Sequence, residues 1–405
     1  MPGKSSKTRT DLAAQNQRLM ALFESAGHEY IAPEIIQPAD VFLERAGEDL
    51  RSRTYVFSDP DGNELCLRPD ITVPTCRYHL ATAPTPESQA RYCYNGTAFR
   101  HHPAATKSPR EFNQLGLEWF GASEAEKAEA EIFNLTIAAM ETAGLENYSV
   151  RIGDLGLFRA LLSTMDMPER WRRRLAHEFW RPRAFHTLLR HLTGEQPVAA
   201  SSLTDLVEAL AREKQAGQAE SVSTGLVESI LDKNHWQLVP GRSLSEIAER
   251  LSEKAADKNS HPLAKTSADQ INNYLNVHGD LASIDSALRH IDDVQSGAFA
   301  DAIDRQAKRI DLFDLAAMKN GDISFAAEFG RSLEYYTGFV FQIEVTGPDG
   351  APVVIAGGGR YDDMISDIGK CQRVPAVGCA IYAERLLAAI TRQNSPENGA
   401  RGSDE

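Results

Sequence analysis

The sequence predicts an α+β fold built on a largely antiparallel sheet, and three observations carry that prediction. Strand-like segments gather in two blocks towards the ends of the chain. Short turns join several of them as hairpins, and a long helical stretch separates the blocks instead of alternating with single strands. The 405 residues suffice for a sizeable core, and 42% hydrophobic with 25% charged residues is the balance of an ordinary globular chain.

The first element spans about Asp11 to Ala26, where Leu12, Leu19, Leu22 and Phe23 recur at helical spacing and Gly27 supplies the stop. Short extended stretches punctuated by Pro33 and Pro38 follow. A hairpin pairs Thr54–Phe57 with Glu64–Leu67 across the turn Ser58–Gly62. Strand character returns at Arg91–Tyr94 and Thr97–His101, breaks at the polar loop Pro103–Pro109, and resumes over Glu111–Phe120. The next helix carries Ile132, Phe133, Leu135, Ile137 and Met140, opens on a capping box from Ser123 to Glu126, and stops at Gly144. Residues 155–320 are dense in Leu, Ala, Glu and Arg with helical periodicity and show no clear strand. Strands resume at Ile323–Phe329, Phe339–Val345, Val353–Ile355 and Ala376–Ile381, before a helix from Ala383 to about Ile390. The expected organisation is therefore a core in two parts, 1–154 and 321–392, around a helical insertion at 155–320, with a disordered polar tail at 393–405.

Several function classes are disfavoured. No apolar run approaches the roughly 20 residues needed to cross a bilayer, and the basic, polar Met1–Thr10 leads into no apolar signal core. A net charge of −14 argues against broad binding of a phosphate backbone, so no nucleic-acid partner is expected. The basic run Arg170–Arg174 reads as a solvated helix face with arginine stems over apolar surface. The five cysteines are odd in number and form no CxxC pair, which suits buried, reduced thiols in a cytoplasmic protein better than a zinc or disulfide framework. His101–His102 are adjacent on a strand and point to opposite faces, so one metal would not take both.

Three clusters could carry chemistry. In Arg68-Pro69-Asp70-Ile71-Thr72 a carboxylate and a hydroxyl could hold an ammonium. Around Phe99-Arg100, strand alternation places Gln114 and Glu118 on one face with the bare Gly116 between them. The third joins Arg331–Gly338 to Ala356–Asp362, where three consecutive glycines allow close approach of a backbone to a ligand or strand. Neither a P-loop lysine nor a dinucleotide fingerprint accompanies those glycines. Each cluster alone is equally a structural arginine–carboxylate device. Together they suit a small zwitterion: carboxylate and hydroxyl for an amine, arginines for a carboxylate, tyrosines for a ring-bearing body.

These clusters, in this order, resemble the catalytic domain of histidyl-tRNA synthetases, a class II aminoacyl-tRNA synthetase fold, over about residues 11–150 and 320–390. Phe99-Arg100 through Gln114 resembles class II motif 2, and Ala376–Gly378 through Glu384–Leu386 resembles motif 3. Arg331–Gly338 and Gly357–Asp362 resemble the two histidine-specific signatures, and the region of Pro33 a dimer-forming motif 1. The resemblance implies that Asp70 and Thr72 hold an ammonium, with Asp in place of the usual Glu. It also implies that Gln114 contacts the ligand, that Glu118 and Tyr336 grip an imidazole, that Tyr361 forms a wall, and that Arg331 and Arg100 meet a carboxylate.

The nucleotide half departs from the family pattern. His102 stands where a glutamate would read adenine, and the 104–109 loop lacks the glycine-arginine step. Tyr382 replaces a glycine that makes room for ATP. Arg100 and Arg385 persist. No anticodon-binding domain is expected, only the polar tail. The best match is therefore the family's branch of ATP phosphoribosyltransferase regulatory subunits. That resemblance implies no catalysis, no metal and no cofactor, but L-histidine as ligand. It further implies a homodimer within a hetero-oligomer, an octamer, with the short-form catalytic subunit. A divergent histidyl-tRNA synthetase is the alternative, followed by a synthetase-like enzyme for another acceptor or a stress-sensing module.

Overall fold

The computed structural model describes residues 5–43, 52–102, 109–195, 260–291, 297–319, 321–331 and 335–395, with Leu244, Ala256 and Asp257. The loop expected at Pro103–Pro109, apart from its last residue, and the last ten residues of the expected tail lie outside the described residues.

Helix α1 (Ser6–Ser25) begins a turn earlier than its apolar spacing suggests, because the Ser5 side chain accepts a hydrogen bond from the Thr8 amide and caps it. Two short strands, β1 (Glu29–Tyr30) and β2 (Ile36–Pro38), lead to α2 (Asp40–Leu43). The expected hairpin is β3 (Tyr55–Ser58) with β4 (Glu64–Leu67), and β2 joins it to make a separate three-stranded sheet in the order β2-β4-β3. Helix α3 (Thr72–Thr82), which periodicity does not reveal, tolerates Pro74 because its first turn has no intrahelical partner for that missing N–H. Strands β5 (Ala90–Phe99) and β6 (Glu111–Phe120) precede α4 (Ala125–Ala143). The capping box expected at its start does not form. The cap residue is Glu124 with no side-chain bond, and Glu126 turns to Lys308 Nζ at 3.2 Å.

Beyond β7 (Tyr148–Asp154), the chain runs through α5 (Leu155–Thr164), α6 (Glu169–Glu178), α7 (Pro182–Leu192), α8 (Lys265–Leu275), β8 (His278–Gly279), α9 (Leu281–Arg289) and α10 (Ala298–Asp311). The short β8 corrects the expectation of no strand in this stretch; two residues are too few to leave a period-2 signature. The chain closes with β9 (Gly321–Ala326), β10 (Phe339–Thr346), β11 (Pro352–Arg360), α11 (Asp363–Gly369), β12 (Ala376–Tyr382) and α12 (Ala383–Gln393).

Nine strands form the main sheet in the order β1-β5-β6-β12-β11-β10-β7-β9-β8, antiparallel except at β1/β5 and β7/β9. The two sequence blocks thus meet at the centre, where β12 pairs with β6 (Gly378↔Glu118, Tyr382↔Gln114) and with β11 (Gly358↔Cys379). Helix α1 is tied to α12 by Gln15 Nε2, which donates to the Ala383 carbonyl at 3.0 Å. Helix α3 packs on α11, where Cys76 Sγ lies 3.4 Å from Met364 Sδ. An aromatic cluster stacks Phe133 on Phe313 at 4.2 Å and places Phe341 edge-on to Phe133.

The chain divides into two compact units, residues 1–164 with 272–405, and residues 165–271. Of the 155–320 stretch, α5, α9 and α10 therefore fold with the sheet. In the smaller unit the basic run is not wholly a solvated face. Arg170 and Arg174 reach the Asp257 carboxylate at 2.7 and 2.5 Å, the Trp171 indole donates to it at 2.5 Å, and Trp171 is buried. Four of the five cysteines are buried free thiols, and burial foremost pushes Cys66 up to about 11 and Cys93 and Cys379 up to about 12. They act as small apolar side chains.

His28, 3% exposed below the end of α1, is lowered to about 4, by burial first and by Arg91 second. The fold therefore favours its neutral form. Its contribution to stability is complete above the unfolded value of 6.5 and is lost as pH falls from there towards 4. Urea denaturation at pH 7 and pH 5 is expected to show about 2 kcal/mol of additional loss in the wild type relative to His28→Gln. Equal losses in both proteins would show that His28 does not titrate between those values.

Candidate functional site

Strand β6 supplies the floor of the site. Gln114 and Glu118 are buried on one face with Gly116 between them, and the register sets Gly116 against Tyr94 and Ala380. A Cβ at Gly116 would collide with the Tyr94 ring, so the glycine makes room for that tyrosine. The Tyr94 hydroxyl donates to Glu118 Oε1 at 3.0 Å, and Tyr361, just past β11, donates to Oε2. Gly378 opposite Glu118 is obligatory in the same way, because a Cβ there would overlap the carboxylate. Burial foremost raises Glu118 to about 8, although the hydroxyls of Tyr361, Thr72 and Tyr94 pull it down. A carboxyl poised there can be protonated in the empty site and ionise against a cationic partner.

Above this floor, Asp70, Thr72, Arg100, Gln114, Arg331, Tyr336 and Tyr361 line one cavity, joined by Tyr335, Cys379 and Tyr382. All eight residues expected from the sequence are thus brought together; Glu118 is the one that lies beneath the lining. Asp70 stands just ahead of α3. Its Oδ1 accepts from the Val73 amide at 3.2 Å, while burial raises its carboxyl against the pull of Arg100 and Arg68. Thr72 opens α3 with its hydroxyl 3.5 Å from that of Tyr94. Arg331 donates from Nη1 to the Phe341 carbonyl at 3.1 Å and lies 5.7 Å above the Tyr336 ring.

Three polar atoms of residues lining this cavity are buried without a hydrogen-bond partner among the described residues: Asp70 Oδ2, Gln114 Oε1 and Arg331 Nε. An unsatisfied buried polar atom costs about 1–3 kcal/mol. Two acceptors and one cationic donor on residues lining one small cavity are the complement that a ligand with its own ammonium and carboxylate can satisfy.

Known proteins bear on this arrangement. A family model described as Histidyl-tRNA synthetase matches residues 7–229 and 223–386. The ATP phosphoribosyltransferase regulatory subunit of Brucella anthropi is 32% identical over 375 residues, which cover 92% of this chain and 96% of that protein. That of Rhizobium rhizogenes is 32% identical over 378 residues, with the same coverage. The chain belongs to the histidyl-tRNA synthetase-like family of ATP phosphoribosyltransferase regulatory subunits. A crystal structure described as an ATP phosphoribosyltransferase regulatory subunit/histidyl-tRNA synthetase from Bacillus halodurans shares the fold, with a TM-score of 0.65 at 21% identity over 96% of this chain and 82% of that one.

In this member of the regulatory-subunit family, the arginine-rich end of the cavity is occupied by Tyr382. Its hydroxyl accepts from Arg100 Nη1 at 3.2 Å, Phe112 packs 5.6 Å away, and the Arg385 guanidinium lies 4.2 Å from its ring centre. Burial alone would raise Tyr382, but Arg100, Arg331 and Arg385 outweigh it and bring the phenol down to about 8. Tyr382 thus contacts Arg100 and Arg385 from within the protein itself. Arg100 also donates from Nε to the Pro69 carbonyl at 2.9 Å, and Arg385 to the Val354 carbonyl at 3.0 Å.

Sequence reasoning missed Tyr94, Tyr335 and Cys379. Tyr94 could have been found, because a bare glycine on a strand often marks a bulky side chain on its neighbour. Tyr335 precedes Tyr336 in the same signature, and its ring stands 5.7 Å from that of Tyr361. No spacing rule identifies Cys379, which reaches the cavity only through the β12 register.

Proposed function

We propose that this chain is a non-catalytic histidine sensor within an ATP phosphoribosyltransferase complex of histidine biosynthesis. It binds L-histidine, activates the short-form catalytic subunit, and passes feedback inhibition from the one to the other. The observation that carries the reading is the conjunction of the unsatisfied Asp70, Gln114 and Arg331 atoms around the cavity with Tyr382 filling its arginine-rich end. Asp70, Thr72 and Gln114 hold the ammonium. Arg331 and Arg100 take the carboxylate, and Glu118 beneath Tyr336 and Tyr361 takes the imidazole. Phosphoryl chemistry needs room for phosphates clamped in line, and here the Tyr382 ring stands beside Arg100 and Arg385.

Regulation by such a site is a coupling free energy, which requires histidine to favour one state of the assembly over another. In this reading the chain is a homodimer inside a hetero-octamer; Tyr30, Ile35, Ile36, Val56 and Phe57, large apolar side chains exposed around β1–β3, support an association surface there.

Calorimetric titration with L-histidine, with alanine and glutamine as controls, tests the ligand. Tyr336→Phe is expected to weaken histidine binding about fivefold, the loss of one hydrogen bond. Its sedimentation with the catalytic subunit should match that of the wild type. Undiminished affinity would place the pocket elsewhere, and failure of the wild-type chain to co-sediment with the catalytic subunit at micromolar concentration would end the regulatory reading.

A further inference from the structure

Behind the cavity lies a buried ion network that the binding scheme does not use. Its centre is Glu129 on α4, 2% exposed, whose Oε2 accepts from Arg309 Nε of α10 and whose Oε1 accepts from Arg360 Nε at the end of β11. Arg309 also donates from Nη1 to Asp154 Oδ2 at 2.8 Å, at the end of β7. Arg360 donates from Nη1 to Asp362 Oδ1 at 2.8 Å and from Nη2 to the Ala125 carbonyl at 3.0 Å. Burial works against the charge on Glu129, yet Arg309 and Arg360 hold its carboxyl below the usual value, so the ionised network is the native one. Such a network is not an economical way to stabilise a core, since desolvation of the charges largely cancels their attraction. What it does provide is fixed geometry.

The groups it fixes flank the site on two sides. Arg360 immediately precedes Tyr361, whose amide donates to the Ala376 carbonyl at 2.8 Å and whose hydroxyl binds Glu118. Neighbouring side chains on an extended segment point to opposite faces, so Arg360 is anchored away from the ligand while Tyr361 faces it. The Arg360 carbonyl accepts from the Thr337 amide at 2.8 Å, next to Tyr336, and the Thr337 hydroxyl accepts from the Asp362 amide at 3.1 Å. Asp362 Oδ1 in turn accepts from the Ala376 amide at 2.9 Å, at the start of β12.

We infer that Glu129 is a positioning residue for the amino-acid pocket: by holding Arg360 from behind β11 it sets Tyr361 against Glu118 and fixes the segment carrying Tyr336. This rests on the histidine reading above. Glu129 touches no ligand and acts through its two arginines. The same clamp ties the pocket wall to α10 through Arg309.

Lowered stability alone would not distinguish positioning from general core damage, so the test is a double-mutant cycle on histidine affinity, measured calorimetrically on the full chain well below each variant's melting temperature. Glu129→Gln keeps the shape and removes the charge; it is expected to weaken histidine binding about tenfold. Combined with Tyr361→Phe, it should add less than its own loss in the wild-type background, because part of its effect runs through the Tyr361 hydroxyl and the rest through the Tyr336 segment held by the Arg360 carbonyl. Additive losses, or unchanged affinity in Glu129→Gln, would overturn the inference while leaving the pocket intact. If Glu129→Gln does not fold by circular dichroism, Asp362→Asn, at the partly exposed end of the network, takes its place with the same two expectations. A wild-type chain that binds no histidine brings down the amino-acid reading and this inference with it.

Discussion

Glu118→Ala is expected to weaken L-histidine binding about a hundredfold, equivalent to about 2.7 kcal/mol, with co-sedimentation with the catalytic subunit unchanged. The residue is fully buried and its two oxygens already accept from Tyr94 and Tyr361. An imidazole N–H arriving there meets a carboxylate whose other lone pairs are occupied, and truncation leaves that N–H buried and unpaired. The pH dependence follows from the value of about 8 for the empty site and about 6.5 for a free imidazole. Between those values the carboxyl passes its proton to the imidazole, no net proton is exchanged, and affinity is level. Below about 6.5 both partners start protonated, so binding releases a proton and affinity falls as pH falls. Above about 8 both start deprotonated, so binding takes up a proton and affinity falls as pH rises. Titration in two buffers of different ionisation enthalpy should show that plateau, and it should vanish in Glu118→Gln. A profile that falls monotonically across pH 6–9 would show that Glu118 does not pair with an imidazolium.

The second large effect is expected at Gly357, which no ligand touches through a side chain. A Cβ there would occupy the place of the Arg331 guanidinium, and its three nearest neighbours are all atoms of that side chain. Gly357 pairs with Gln342 and Ala380 in the middle of β11, and the clash falls on the free end of a flexible side chain. Gly357→Ala should therefore fold normally and expel Arg331 from the cavity. Histidine affinity is expected to fall about thirtyfold, the loss of a charge-assisted hydrogen bond to a carboxylate, with a melting temperature within a few degrees of the wild type. Gly378→Ala makes a useful contrast. Its Cβ would meet the buried Glu118 carboxylate and also the Leu117 carbonyl, which cannot swing away, so that variant should lose stability as well as binding. If Gly357→Ala bound histidine as tightly as the wild type, Arg331 would not be the carboxylate partner.

The gathering of the site residues around one cavity was legible in the sequence because its information is local. Alternation along β6 placed Gln114 and Glu118 together, and the signature runs around Arg331 and Tyr361 sit on strands or beside them. The sheet followed from hairpins and turns, which are also local. What escaped was set by long-range packing. Helix α3 carries Pro74, Val73 and two threonines in its first turn, a composition that reads as extended chain, and it is helical because it packs on α11. Glu126 reads as a capping residue until Lys308, 182 residues later, draws it away. The division of residues 155–320 between two units depends on how α5 and α10 pack, which periodicity cannot report, since both are equally amphipathic alone or buried.

The central claim, that histidine bound to this chain controls its partner, is tested most directly by reconstituting the complex with the catalytic subunit and titrating L-histidine against phosphoribosyl transfer. The account predicts that the wild-type complex is inhibited by histidine, whereas the Glu118→Ala complex assembles, is activated to the same level and stays active at about a hundredfold higher histidine. Identical inhibition curves for the two complexes would contradict it.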